Sequence, residues 1–178
     1  MPAGAGPGTL DAGDRTNEGV VKVFERIVLA VDGVDAAHGA VAAAVDLAGK
    51  SDGEIFVVHV HDLGLVSRET VDLEMHDEAV LLVDALVEVV HKHGVRARGE
   101  LRAARSVEVA KEILKAAREF SADTIVLGSR GLGAYAGLLM GSVAYRVIQH
   151  ADCPVVVVRS GAPDALDERD RAGTASAA

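Results

Sequence analysis

Apolar and polar positions along this chain follow two rhythms that alternate with each other. Phe24 to Val31 (FERIVLAV) closes in a continuous apolar run, which Asp32-Gly33 stops. Ala37, Ala40, Val41, Ala44, Val45 and Ala48 then recur at helical spacing over 36–50, with Asp35 placed to cap that helix. Ser51-Asp-Gly breaks the pattern, and Glu54 to Val60 (EIFVVHV) is a second apolar strand. After a polar stretch, Ala79, Val83, Leu86 and Val90 form one stripe of a helix over roughly 70–93, with Gly94 as its stop.

From Val95 to Ala103 the period falls to two: Val95, Ala97, Gly99, Leu101 and Ala103 alternate with Arg96, Arg98, Glu100 and Arg102. That alternation predicts a half-exposed strand. Ser106 is the candidate cap of the next helix, whose stripe is Val107, Ala110, Ile113, Leu114 and Ala117. A strand over 123–128, a glycine-rich loop, a helix over 142–150 and a last strand from Pro154 to Val158 complete the pattern. Strands alternating with helices imply a parallel sheet covered on both faces. Right-handed crossovers then give an α/β fold, a Rossmann-like doubly wound five-stranded parallel sheet in an α/β/α sandwich. The sandwich is expected over residues 23–159. Residues 1–22 and 160–178, without periodicity and rich in small and polar residues, are expected to be a disordered arm and tail.

Composition narrows the function. The chain is 49% apolar and 25% charged, as expected of a soluble globular protein. A formal net charge of -9 and the scarcity of aromatics argue against nucleic acid. No apolar run approaches the roughly 20 residues of a membrane helix. The first 19 residues lack the basic start and apolar centre of a signal peptide, so a cytoplasmic protein is expected. The single cysteine, Cys153, excludes an intramolecular disulfide and reads as a structural thiol. His91 and His93 point to different faces of their helix, and no cysteine joins them or His59, His61 and His76 in a metal site.

The stretch GSRGLGAYAGLLMGS, Gly128 to Ser142, holds five glycines in fifteen residues between a strand and a helix. Either the loop turns tightly or its bare backbone lies against a ligand. Ligands in doubly wound sheets sit at the carboxyl ends of strands, where Asp32, the region after Val60, and Gly128 all lie. Gly49-Lys50-Ser51 is not a Walker loop, because Ala44 stands where the first glycine is needed and the tripeptide ends a helix. Gly131-Leu-Gly133-Ala-Tyr-Ala136 meets only the loosest form of the dinucleotide fingerprint, and several loop residues separate it from the next helix.

Gly128-x2-Gly131-x9-Gly141-Ser142, by contrast, resembles the nucleotide-binding signature of the universal stress protein family. The resemblance runs over about residues 24–159: IVLAVDG, VVHV, ADTIVLGSRG, the ending GSVAYRVIQHADCPVVVVR, and the order of elements. It implies an ATP site, with Mg²⁺. Gly128 and Gly131 would keep side chains off the phosphates, and Gly141-Ser142 would open a helix whose free N–H groups favour an anion. By the same resemblance Asp32 stands near ribose and metal, Ala30 faces the adenine region, and Val60 meets adenine through its backbone. Leu127 packs on the base and Val143 offers its N–H to phosphate; Arg130 is a candidate phosphate partner. Two departures stand out: Val34 replaces the serine usual after Asp-Gly, and Ala104-Arg105-Ser106 replaces a stretch that usually contains glycine.

The reading is therefore a cytoplasmic ATP-binding stress-response or signalling module and not an enzyme, since the loop names no general base beyond Asp32. The alternatives are a slow nucleotide hydrolase, or a cyclic-AMP-binding or partner-binding module. A homodimer is expected through the last strand, Pro154 to Val158, a wholly apolar sheet edge without lysine.

Overall fold

The computed structural model describes residues 23–62, 69–129 and 141–159; the arm and the tail expected at the two ends lie outside them. Five strands alternate with four helices among these residues: β1 Arg26–Val31, α1 Val34–Lys50, β2 Glu54–Asp62, α2 Glu69–Lys92, β3 Arg96–Ala104, α3 Val109–Phe120, β4 Thr124–Gly128, α4 Ser142–His150 and β5 Val155–Val158. The strands form one all-parallel sheet in the order β3-β2-β1-β4-β5, the doubly wound arrangement that the pattern predicted.

β1 is central because its residues are apolar on both faces. Ile27, Leu29 and Val31 join the core under α1 and α2, while Val28 and Ala30 join the core under α3 and α4. Ile27, Val28 and Leu29 are fully buried, each worth about 1.5–3 kcal/mol of apolar burial. Helix ends follow local chemistry. α2 stops where Gly94 takes φ 77°, and the Val95 N–H closes back on the Val90 carbonyl at 3.4 Å. α3 stops at Ser121, which takes the left-handed conformation without being glycine.

Several local expectations need correction. Asp35 does not cap α1: the helix begins at Val34 behind Gly33, whose φ of 140° suits glycine alone, so Asp35 falls within the first turn. Ser106 is not the N-cap of α3 and Val107 is not on its buried stripe. The Glu108 N–H bonds the Arg105 carbonyl at 2.7 Å, so 105–108 is a turn that holds Val107 67% exposed. The arginines of β3 are also less solvated than a simple alternation suggests. Arg98 lies over the rings of Phe56 and Phe120 at 4.8 and 5.1 Å. The Arg102 side chain, only 9% exposed, meets Glu100 and Glu112 and donates to Glu119 at 2.5 Å. That bond, ahead of the other influences, holds the Glu119 carboxyl below its usual range. Long arginine stems thus cover apolar surface that α3 leaves at the sheet edge.

The amino end of the sheet is held by one carboxylate. Asp123 Oδ1 accepts the Phe24 N–H at 2.8 Å, and Oδ2 accepts those of Glu25 and Arg26 at 2.9 and 2.8 Å. Arg26 in turn donates from Nε to the Phe120 carbonyl at 2.8 Å and from Nη1 to Glu54 at 2.6 Å. Replacing Asp123 with Ala strands four part-buried donors, the three N–H groups and the Thr124 hydroxyl, which bonds Oδ1 at 2.9 Å. At about 1 kcal/mol or more each, the expected loss is roughly 2–4 kcal/mol in urea unfolding, with Asp123→Asn intermediate because it keeps one acceptor oxygen. A loss under about 0.5 kcal/mol for Asp123→Ala would mean that water replaces the carboxylate.

Candidate functional site

The strand order reverses between β1 and β4. The chain leaves β1 towards β2 and β3, then crosses over to β4 and β5 on the other side. The crevice at the carboxyl ends of β1 and β4 is where such sheets bind ligands.

Pleating decides what faces that crevice. Ala30 pairs with Leu127 across β1 and β4 and with Val58 across β1 and β2. Ala30, Val60 and Leu127 all project to the α3/α4 face and are 7%, 7% and 4% exposed. Three candidates from three different strands therefore share one apolar face near the carboxyl end of the sheet. Asp32 follows β1 directly and is exposed, on the turn that Gly33 makes into α1.

Gly128 ends β4, paired with Val158 of β5. The next residue pins the loop: the Ser129 N–H bonds the Val158 carbonyl at 2.6 Å, and the Gly141 N–H bonds the Ser129 carbonyl at 2.7 Å. The chain thus returns after residue 140 to the point where it left the sheet. Arg130 and Gly131 lie outside the described residues, so their candidate roles find no geometry here.

α4 starts at Ser142. Gly141 is its extended N-cap, with φ -71° and ψ 154°, and among the described residues no side chain caps the helix. The first intrahelical bond runs from the Tyr145 N–H to the Gly141 carbonyl at 3.0 Å. The N–H groups of Ser142, Val143 and Ala144 therefore have no partner within the helix. No acidic residue stands in the first turn to neutralise the positive end of the dipole. Ser142 is exposed and Val143 half-buried. Chemically, an uncapped helix start against the carboxyl end of a strand can take an anionic group, and the apolar face of Ala30, Val60 and Leu127 can take a flat apolar one.

Two neighbours escaped the sequence reading. Ser129 is 4% exposed and among the described residues its Oγ has no hydrogen-bond partner, a costly state for a buried hydroxyl. Its place between two motif residues was visible, but nothing in the sequence distinguished its side chain. His59 Nδ1 lies 2.9 Å from the Val31 carbonyl and ties β2 to the last peptide before Asp32. Its position on an apolar strand was the only available signal.

Among the described residues no three His, Cys, Asp or Glu side chains gather where they could hold a metal. A cation here would need ligand oxygens besides Asp32. Cys153 sits elsewhere, on the approach to β5. Burial first, then the charges of Asp123 and Asp152, raise its pKa, which favours an unreactive thiol.

The sequence model described as "Universal stress protein family" matches residues 24–159. The universal stress protein YxiE of Bacillus subtilis is 29% identical over 151 residues, covering 77% of this chain and all of that one. The universal stress protein MJ0531 of Methanocaldococcus jannaschii is 30% identical over 144 residues, covering 77% and 83%. Among solved structures, a universal stress protein from Archaeoglobus fulgidus in complex with dAMP superposes with a TM-score of 0.58 at 25% identity, covering 77% of this chain and 99% of that one.

The start of α4 can be tested without any ligand. Ser142 is the first helical residue, the position at which proline is tolerated best, because its N–H bonds no helical carbonyl. Ser142→Pro should therefore change unfolding stability by no more than about 0.5 kcal/mol. A loss of several kcal/mol would place the helix start further upstream.

Proposed function

This chain belongs to the universal stress protein family, and from that premise we propose that it binds an adenine nucleotide at the carboxyl ends of β1, β2 and β4. The observation that carries the reading is the uncapped start of α4, held by the Gly141–Ser129 hydrogen bond against the end of β4, where the strand order reverses. In this reading the phosphates lie on the N–H groups of Ser142 and Val143 and on the backbone of Gly128, Gly131 and Gly141. Arg130 adds charge. The base lies over Ala30, Val60 and Leu127, and Asp32 serves the ribose or an Mg²⁺ bound through the phosphates. The relative bound to dAMP supports the nucleotide class. ATP is the proposed ligand because the long glycine loop between 128 and 141 suits a triphosphate.

The role proposed is nucleotide-dependent sensing or signalling, not turnover, because the glycine-loop sequence names no base beyond Asp32, which is better used on ribose or metal. The test begins with the nucleotide content of the purified protein by mass spectrometry, followed by calorimetry with ATP, dAMP and cyclic AMP. Ser142→Pro should weaken ATP binding about tenfold or more by removing one amide and one hydroxyl from the phosphate. Gly131→Val should abolish binding in a folded chain, and phosphate release should stay far below the roughly 10 per second of an ordinary enzyme. Unchanged affinity in both folded variants would remove the site.

A homodimer through β5 belongs to the same proposal. β5 is an edge strand whose four valines are only half-buried. Arg146, Gln149 and His150 of α4 face α3. Tyr145 and Ile148 of the same helix, 56% and 43% exposed, do not line the groove between α3 and α4. An antiparallel twofold pairing of β5 would cover the valine edge. The Pro154 and Val158 carbonyls accept from Ile125 and Ser129 on the β4 side, so alternation turns the Val157 N–H to the free edge. Val157→Pro removes that outward donor and should yield monomers by light scattering; a native monomer, or a variant that stays dimeric, would exclude this pairing.

A further inference from the structure

A second surface, away from the nucleotide crevice, carries its own signal. Between α3 and α4 runs an open groove of about 440 Å³. Lys111 and Arg118 of α3 and Arg146 and His150 of α4 line it, over a floor that includes Leu114 and the exposed Val107. A chain of net charge -9 has thus gathered four basic side chains in one place. Little offsets them locally. Arg118 meets Asp152 at 3.3 Å, but both side chains are more than half exposed, so that pair is weak. Arg146 donates to the Val107 carbonyl at 2.8 Å, and Lys111 has no ion-pair partner among the described residues.

The complementary surface is on α2. Asp77, Leu81, Asp84 and Glu88 recur at steps of four, three and four, which places them on one stripe of the helix. All four are exposed, and Leu81 at 66% is the most exposed large apolar residue of the described helices. Asp77 and Asp84 have no ion-pair partner among the described residues; Glu88 is tied to Lys92 at 2.9 Å. The stripe covers eleven residue steps, roughly 16 Å, about the length of α3 along the groove. A leucine flanked by carboxylates faces the inverse pattern, an apolar floor rimmed by cations.

One chain cannot join these two surfaces itself. α2 packs with α1 on one face of the sheet, and α3 and α4 cover the other. We propose that a second copy of this chain docks the acidic, leucine-bearing face of its α2 into the basic groove between α3 and α4. The contact is head-to-tail and separate from the isologous pairing at β5. A single helix in a groove is a small patch, so the association is weak, grows with concentration and is screened by salt.

The test uses the full chain in a concentration series by sedimentation at roughly 20 mM and roughly 500 mM salt. The expected result is an average mass that rises with concentration at low salt and returns to its baseline at high salt. Lys111→Glu with Arg146→Glu disables the groove, and Asp77→Lys with Asp84→Lys disables the helix face. Each variant alone should lose the rise, with association at least tenfold weaker, while an equimolar mixture should recover it because each supplies the half the other lacks. Leu81→Lys, a single exposed change, should behave as the helix variant and guards against misfolding of the groove variant. A mass that never rises, a rise that survives either variant, or a mixture that fails to associate would overturn the proposal. So would groove-dependent binding of a duplex DNA probe by a chain whose mass stays constant.

Discussion

The Asp123 carboxylate organises the molecule, because it receives three consecutive N–H groups at the entry to β1 while standing at the entry to β4. These two strands are neighbours in space but nearly a hundred residues apart in the chain, so their mutual register is the least local decision in the fold. The clasp sets it: the Asp123 N–H also bonds the Arg26 carbonyl at 3.0 Å, and Ile27 then pairs with Thr124. Parallel strands keep a register once started, so Ala30 meets Leu127 at the far end of the sheet. A contact at the amino end thereby aligns the crevice at the carboxyl end.

Around this axis the two faces and two edges differ in chemistry. The buried layer on the α1/α2 face is wholly aliphatic, with Ala40, Val41, Ala44, Val45 and Ala48 of α1 and Val83, Leu86 and Val90 of α2 packed with Ile27, Leu29, Ile55 and Val57 of β1 and β2. The α3/α4 face carries Phe56 and Phe120, with ring centroids 5.2 Å apart, and arginines stacked on them. At the β3 edge Arg98 and Arg102 protect the sheet; at the β5 edge only valines stand. Unequal edges give a chain one direction for edge pairing and leave the other edge closed.

The fold was legible because its signals are short-range. Apolar strands, helical stripes and the Gly94 stop each express preferences of the backbone and of side chains within a few residues. The glycine spacing was legible for the same reason, and the start of α4 stands at Gly141-Ser142 as the pattern indicated. Asp35 and Ser106 failed as caps although both have the right side chain, because Gly33 and the turn at 105–108 set the backbone first.

Element order, strand patterning and the family of this chain were thus determined by its sequence alone. Tertiary structure alone decided the Asp123 clasp, the tie of His59 to the Val31 carbonyl and the bond from Arg146 to the Val107 carbonyl. Each depends on groups far apart in the chain, and a carboxylate, imidazole or guanidinium carries no mark in sequence of which distant partner it will meet. Only the packing of strands and helices brings those partners within bonding distance.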